Sequence, residues 1–120
     1  MSEPTNKDQE FLRHLLGLEL SAVVFVRDYI QLQFDGPVLT VVTTPEIETT
    51  TGILRSGLPG FRDALCDQIS HTVKSVDLKA GVAIGIAFTD GGELLIPLQP
   101  EFPTAAEAIT LDIGNDFIVI

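Results

Sequence analysis

Residues 20–47, LSAVVFVRDYIQLQFDGPVLTVVTTPEI, can be laid on residues 73–102, VKSVDLKAGVAIGIAFTDGGELLIPLQPEF, with one extra residue in each of the two turns of the second stretch. Val23 then falls on Val76, Ile30 on Ile84, Phe34 on Phe88 and Gly36 on Gly91. Further along, Leu39 falls on Leu94, Pro45 on Pro100 and Glu46 on Glu101. Insertions confined to turns are what a shared strand framework tolerates. The chain therefore reads as an internal duplication of a three-strand antiparallel unit, a β-meander.

Working outward, the first copy gives strands near 19–26, 29–35 and 38–44, turning at Arg27-Asp28 and at Asp35-Gly36-Pro37. The second gives strands near 73–79, 82–88 and 93–98, with turns at Ala80-Gly81 and Asp90-Gly91-Gly92. Between them, TTPEIETTTG reads as a loop with a little edge-strand character. Residues 58–70 read as a helix, because Leu58, Phe61, Leu65 and Ile69 recur at spacings of three and four. A short helix is expected over Asp8–Leu16, stopped by Gly17, and a hairpin over 107–112 and 117–120. Residues 1–7 read as a disordered tail and 8–120 as one domain. The expected fold is α+β: two repeated three-stranded meanders (about 19–47 and 73–102), a C-terminal hairpin, a short N-terminal helix and one central helix.

Alternation assigns the faces. Val23, Phe25, Ile30, Leu32, Phe34, Leu39 and Val41 point one way, and Val76, Leu78, Ile84, Ile86, Phe88, Leu94 and Ile96 are their counterparts in a shared core. The opposite face holds Ala22, Val24, Val26, Val38, Val42, Ala83, Gly85, Ala87 and Leu95, too apolar for a face turned wholly to water. A helix of the same chain or a second subunit is expected to cover part of it. The apolar stretch Phe117-Ile118-Val119-Ile120 is likewise expected to pair within the fold or across a homodimer.

Composition narrows the function classes. The 120 residues carry a net charge of −10 with 45% hydrophobic residues, which places carboxylates outside and apolar surface in a core or interface. The seven basic residues are scattered, so the clustered cations needed to neutralise phosphates are missing, and nucleic acid and anionic membranes are disfavoured as partners. An acidic surface suits a basic protein partner. The single Cys66 excludes an internal disulfide framework and fits a reducing cytoplasm. The N-terminal MSEPTNKDQE lacks a signal peptide's apolar segment, and no apolar run approaches the ~20 residues of a membrane span.

Catalytic and metal-binding patterns are weak. Cys66 and His71 stand five residues apart near a helix end and point in different directions, so a thiolate–imidazole pair is not expected. His14 and His71 are far apart, and no HxH, HxxxH or CxxC spacing occurs. Gly81, Gly91 and Gly92 fit turns and precede no helix that would cradle phosphate. No catalytic, cofactor or metal residue is assigned. What remains is an interaction surface. Arg27-Asp28-Tyr29 joins an Arg to a Tyr, a pairing frequent at the centres of protein interfaces, beside Val24 and Val26, and reads equally as a turn capped by Asp28 with Tyr29 packed over its neighbours. Glu46 and Glu101, in the repeated Pro-Glu, occupy equivalent strand ends.

The segments FVRDYIQLQFDGPVLT and PGFRDALCDQI, followed by a second strand unit over Val73–Glu101 and by Glu107-Ala108, resemble a family of small uncharacterised bacterial proteins. The resemblance covers most of the chain and departs at the aliphatic C-terminus, where an aromatic is expected. It implies a single-domain cytoplasmic bacterial protein and carries no catalytic residues. The functional expectation is a non-enzymatic protein-interaction domain, immunity- or antitoxin-like, whose acidic face meets a basic partner. The alternative is a small-molecule binder or minor enzyme with a pocket between the repeats lined by Arg27, Tyr29, Glu46 and Glu101.

Overall fold

The computed structural model describes residues 4–79, 81–89, 91–98, 109–114 and 116–120. Helix α1 spans Pro4–Leu12 and ends in a 3-10 turn, Arg13–Leu15; α2 spans Phe61–Cys66. The strands are β1 (Ala22–Val26), β2 (Tyr29–Gln33), β3 (Val38–Val41), β4 (Glu46–Thr49) and β5 (Gly52–Arg55). After α2 come β6 (Val73–Lys79), β7 (Ala83–Phe88), β8 (Glu93–Pro97), β9 (Ile109–Asp112) and β10 (Phe117–Val119). They form two antiparallel five-stranded sheets, ordered β1-β2-β3-β9-β10 and β5-β4-β8-β7-β6.

Two three-stranded meanders are present, and the repetition of elements extends beyond them. Each copy builds its own meander, β1–β3 or β6–β8, and each meander is followed by a hairpin, β4–β5 or β9–β10. The hairpins are exchanged: β4 pairs with β8 of the second copy, and β9 pairs with β3 of the first. The spacing that lays Val23 on Val76 also lays Glu19 on Thr72, and these two residues form an isolated antiparallel bridge. Corresponding residues bridged to each other mark an approximate two-fold axis between the halves.

A single core fills the space between the inner faces. It holds Leu32, Phe34, Leu39 and Val41 from the first sheet and Ile84, Ile86, Phe88, Leu94 and Ile96 from the second, all essentially buried, with Val23, Phe25 and Leu78 packed against them. The helices add Leu12, Leu15, Phe61 and Leu65 to the same core. Each helix lies against the other half's edge strand, α1 on β6 and α2 on β1 as well as β4 and β5.

Four sequence expectations need correction. TTPEIETTTG is no loop: Glu46–Thr49 is an interior strand, with Ile47 fully buried, and β5 completes the hairpin through a Thr50-Thr51 turn. Helix α2 starts at Phe61, and Leu58 sits in the preceding loop, 54% exposed. Residues 4–7 belong to α1 rather than to a tail. Finally, among the described residues no helix covers the outer faces; Val24, Val26, Val42 and Leu95 stay exposed there. The third and last hairpin strands shorten but persist, and among the described residues no helix is long and apolar enough to cross a membrane.

Candidate interaction site

The β1–β2 hairpin closes with Val26 opposite Tyr29, leaving Arg27-Asp28 as a two-residue turn with both side chains exposed. Facing it is the loop Ser56-Gly57-Leu58-Pro59-Gly60. Gly57 (φ 97°) and Gly60 (φ 89°) take the left-handed conformation that a side chain resists, and Pro59 stiffens the span between them. The loop is anchored by the Ser56 N–H on the Pro45 carbonyl (2.9 Å) and the Leu58 N–H on the Arg55 carbonyl (3.0 Å).

Between hairpin and loop opens a cleft of about 600 Å³, lined by Phe25 to Ile30, Val41, Thr43, the loop and the first turn of α2. Arg62 of that turn lies over the Phe25 ring, 5.3 Å from its centroid, a cation–π contact. Thr43 fixes the floor by donating from its hydroxyl to the Pro97 carbonyl at 2.6 Å, tying the end of β3 to β8. The cleft thus offers two guanidinium groups (Arg27, Arg62), two carboxylates (Asp28, Asp63), a half-buried phenol (Tyr29) and an exposed leucine (Leu58).

The cleft exists because the two-fold relation breaks there. The spacing that lays Leu12 on Leu65 lays Pro4–Lys7, a helical turn, on Gly57–Gly60, a loop. It also lays Gln9 on Arg62. Gln9 docks α1 onto the β6 edge: its amide nitrogen donates to the Val76 carbonyl (3.0 Å) and its amide oxygen accepts from the Leu78 N–H (2.8 Å). A guanidinium has donors only and cannot repeat that two-way bond, so Arg62 stacks on an aromatic ring instead.

The predicted site residues divide. Val26, Arg27, Asp28 and Tyr29 line the cleft, and Val24 lies one register step away on the exposed outer face of the first sheet. Glu46 is elsewhere, on the outer face of the second sheet, with Arg55 and Leu95 opposite it in register. The pocket holding Arg27 and Tyr29 therefore lacks Glu46, and Glu101 lies outside the described residues. Sequence reasoning missed Leu58, Phe25 and Arg62; the punctuation of Gly57-Leu58-Pro59-Gly60 was the available signal that this stretch is a built loop.

Other candidates hold structural posts. The His71 Nδ1–H donates to the Thr89 carbonyl at 2.7 Å, while Cys66 is exposed. Among the described residues, no group of three His, Cys, Asp or Glu side chains is arranged to hold a metal. Gln68, buried in the turn that follows α2, donates to the Ala64 carbonyl (3.1 Å) and accepts from the Gly92 N–H (2.7 Å), fastening the β7–β8 turn.

The two outer faces differ in chemistry. On the first sheet the register lines up Ala22, Val24, Val26, Tyr29, Gln31, Gln33, Val38, Thr40, Thr110, Asp112, Phe117 and Val119. Asp112 is the single carboxylate among the described residues of this face. The second sheet presents Asp77, Glu93, Glu46 and Glu48, with Lys79 and Arg55. Comparison with protein-family models, curated proteins and solved structures finds no match to this chain.

Proposed function

We propose that this chain is a non-enzymatic protein-interaction domain of a bacterial cytoplasm, acting as a homodimer and holding a basic partner protein. One observation carries the reading. In a chain of net charge −10, exposed Val24, Val26 and Val42 border a cleft where Tyr29, Arg27 and Leu58 stand beside Asp28, Arg62 and Asp63. Exposed apolar side chains grouped with a Tyr and an Arg are the composition of an interface centre. The acidic remainder, including the second sheet's outer face, steers a basic partner toward the molecule and sets the salt dependence of its arrival. An immunity- or antitoxin-like role is the concrete form of this reading.

The test is native mass spectrometry on protein isolated gently from its own host. A stoichiometric second protein is expected with the wild type, lost with Tyr29→Ala combined with Val26→Asp and retained with Glu46→Gln. A wild type that carries no second protein, or a partner that survives the cleft substitutions, overturns the reading.

The cleft volume favours a second reading, since about 600 Å³ falls within the range of small-molecule sites. A bound adduct of defined mass, lost on Arg27→Ala and Arg62→Ala, would replace the protein partner as the occupant.

A further inference from the structure

Two sheets have four edges, and among the described residues contacts within the chain reach three of them. On β6 the Gln9 amide takes the outward Val76 carbonyl and Leu78 N–H. The segment leading into β1 is bonded to residues 70–73, through the Ser70 N–H on the Leu20 carbonyl (2.8 Å) and the Leu20 N–H on the His71 carbonyl (3.0 Å). There α2 continues alongside β1. On β5, the Arg55 carbonyl is taken by the Leu58 N–H, and the strand touches α2.

The β10 edge is different. Ile109 and Ile120 exchange bonds of 3.2 and 2.9 Å, and the Ile113 N–H donates to the Asp116 carbonyl at 3.0 Å. With Ile118 opposite Leu111 in the same ladder, alternation turns the backbone groups of Phe117 and Val119 away from β9. The Phe117 N–H meets its neighbour's carboxylate, Asp116 Oδ1, at 2.8 Å. Among the described residues, nothing bonds the outward groups of Val119. The strand bears no lysine or proline, and Phe117 and Val119 are 62% and 42% exposed. An apolar, open edge of this kind is a template for another strand.

We propose that β10 is the dimerisation strand: a second copy of this chain adds its own β10 antiparallel to the first, with Ile118 on the two-fold axis. This deepens the homodimer reading and rests on it. The outward groups are self-complementary, because Phe117 of each copy then exchanges two hydrogen bonds with Val119 of the other. On the outer face the same pairing sets Phe117 beside Val119 twice, an aromatic–β-branched cross-strand pair. Charge selects this edge as well. Two copies of a −10 chain repel, and the first sheet's outer face, with Asp112 as its single carboxylate among the described residues, lets them meet without opposing carboxylates. The joined sheet has ten strands.

Sedimentation velocity across nanomolar to micromolar concentrations, combined with amide hydrogen exchange, tests the pairing. The wild type is expected to dimerise, and its Val119 amide to exchange slowly in the dimer and fast on dilution. Phe117→Lys is expected to weaken the dimer about tenfold or more, with the circular dichroism of the monomer unchanged. Asp116→Ala, which releases the Phe117 N–H, is expected to tighten it, and serves should Phe117→Lys fail to fold. A dimer whose Val119 amide exchanges as fast as in the monomer overturns the β10 interface while leaving self-association standing. A monomer at every concentration overturns both.

Discussion

The two halves of the molecule share a plan and differ in one corner. In the first, α1 carries an extra turn and its Gln9 closes the edge of β6 with a donor and an acceptor. In the second, the matching turn is the loop 57–60, the matching residue is Arg62, and a cleft lies where the first half has a helical turn. Where the halves agree, the residues are core: Phe34 with Phe88, Leu39 with Leu94, Leu12 with Leu65. Where they part, a half-buried Tyr and exposed Arg and Leu side chains collect. Symmetry is kept where packing requires it and given up at the exposed corner that forms the cleft.

The comparison is broken most directly in the core. Phe34→Ala and Phe88→Ala should each cost ~3–5 kcal/mol and agree within about 1 kcal/mol, since both rings are buried at corresponding positions. Each should lower one shared denaturation transition, because the exchanged hairpins put strands of both halves in both sheets; two separable transitions would show that the exchange does not couple them. Gly92→Ala should come next, at ~1–3 kcal/mol, because its Cβ would stand 2.6 Å from the Glu48 carbonyl of the interior strand β4. The matching Pro37→Ala should cost less than ~1 kcal/mol.

Gln68→Leu should cost ~1–3 kcal/mol in a urea titration, since it strands a buried Gly92 N–H. The partly buried Gln9→Leu should cost ~0.5–1.5 kcal/mol, water taking over its bonds to β6. Smallest of all, Arg62→Ala should remove ~0.5–1 kcal/mol with its cation–π contact, and Val24→Thr should stay within about 0.5 kcal/mol. A larger cost at Val24 would mean that the first sheet's outer face is already packed against something.

Much of this fold could be read from the chain because a strand's period is short and local. Alternation assigned Val23, Phe25, Ile30, Leu32, Phe34, Leu39 and Val41 and their seven counterparts to the inner face, and all of them pack in or against the core. The hairpin 46–55 escaped because its strand directs only Ile47 into the core, between Glu46 and Glu48, and its turn is Thr-Thr rather than a glycine pair. Leu58 matched a helical stripe by spacing alone, while two left-handed glycines and a proline held it outside α2. At the site, Arg27-Asp28-Tyr29 was legible as a polar–aromatic turn with more chemistry than turning needs. Glu46 was not: its position depends on which strand β4 pairs with, a contact between distant residues that no local pattern encodes.

That exchange of hairpins also governs how the chain is made. As synthesis runs from the first copy to the second, β4–β5 leaves the ribosome before β8 exists, and its Ile47 has no sheet to enter. Likewise β3 presents a bare edge until β9 arrives much later. Neither half can finish by itself while the other is still being translated. From the completion of β4 until β8 is made, the nascent protein therefore carries two open strand edges, a window in which a chaperone has more to shield than afterwards.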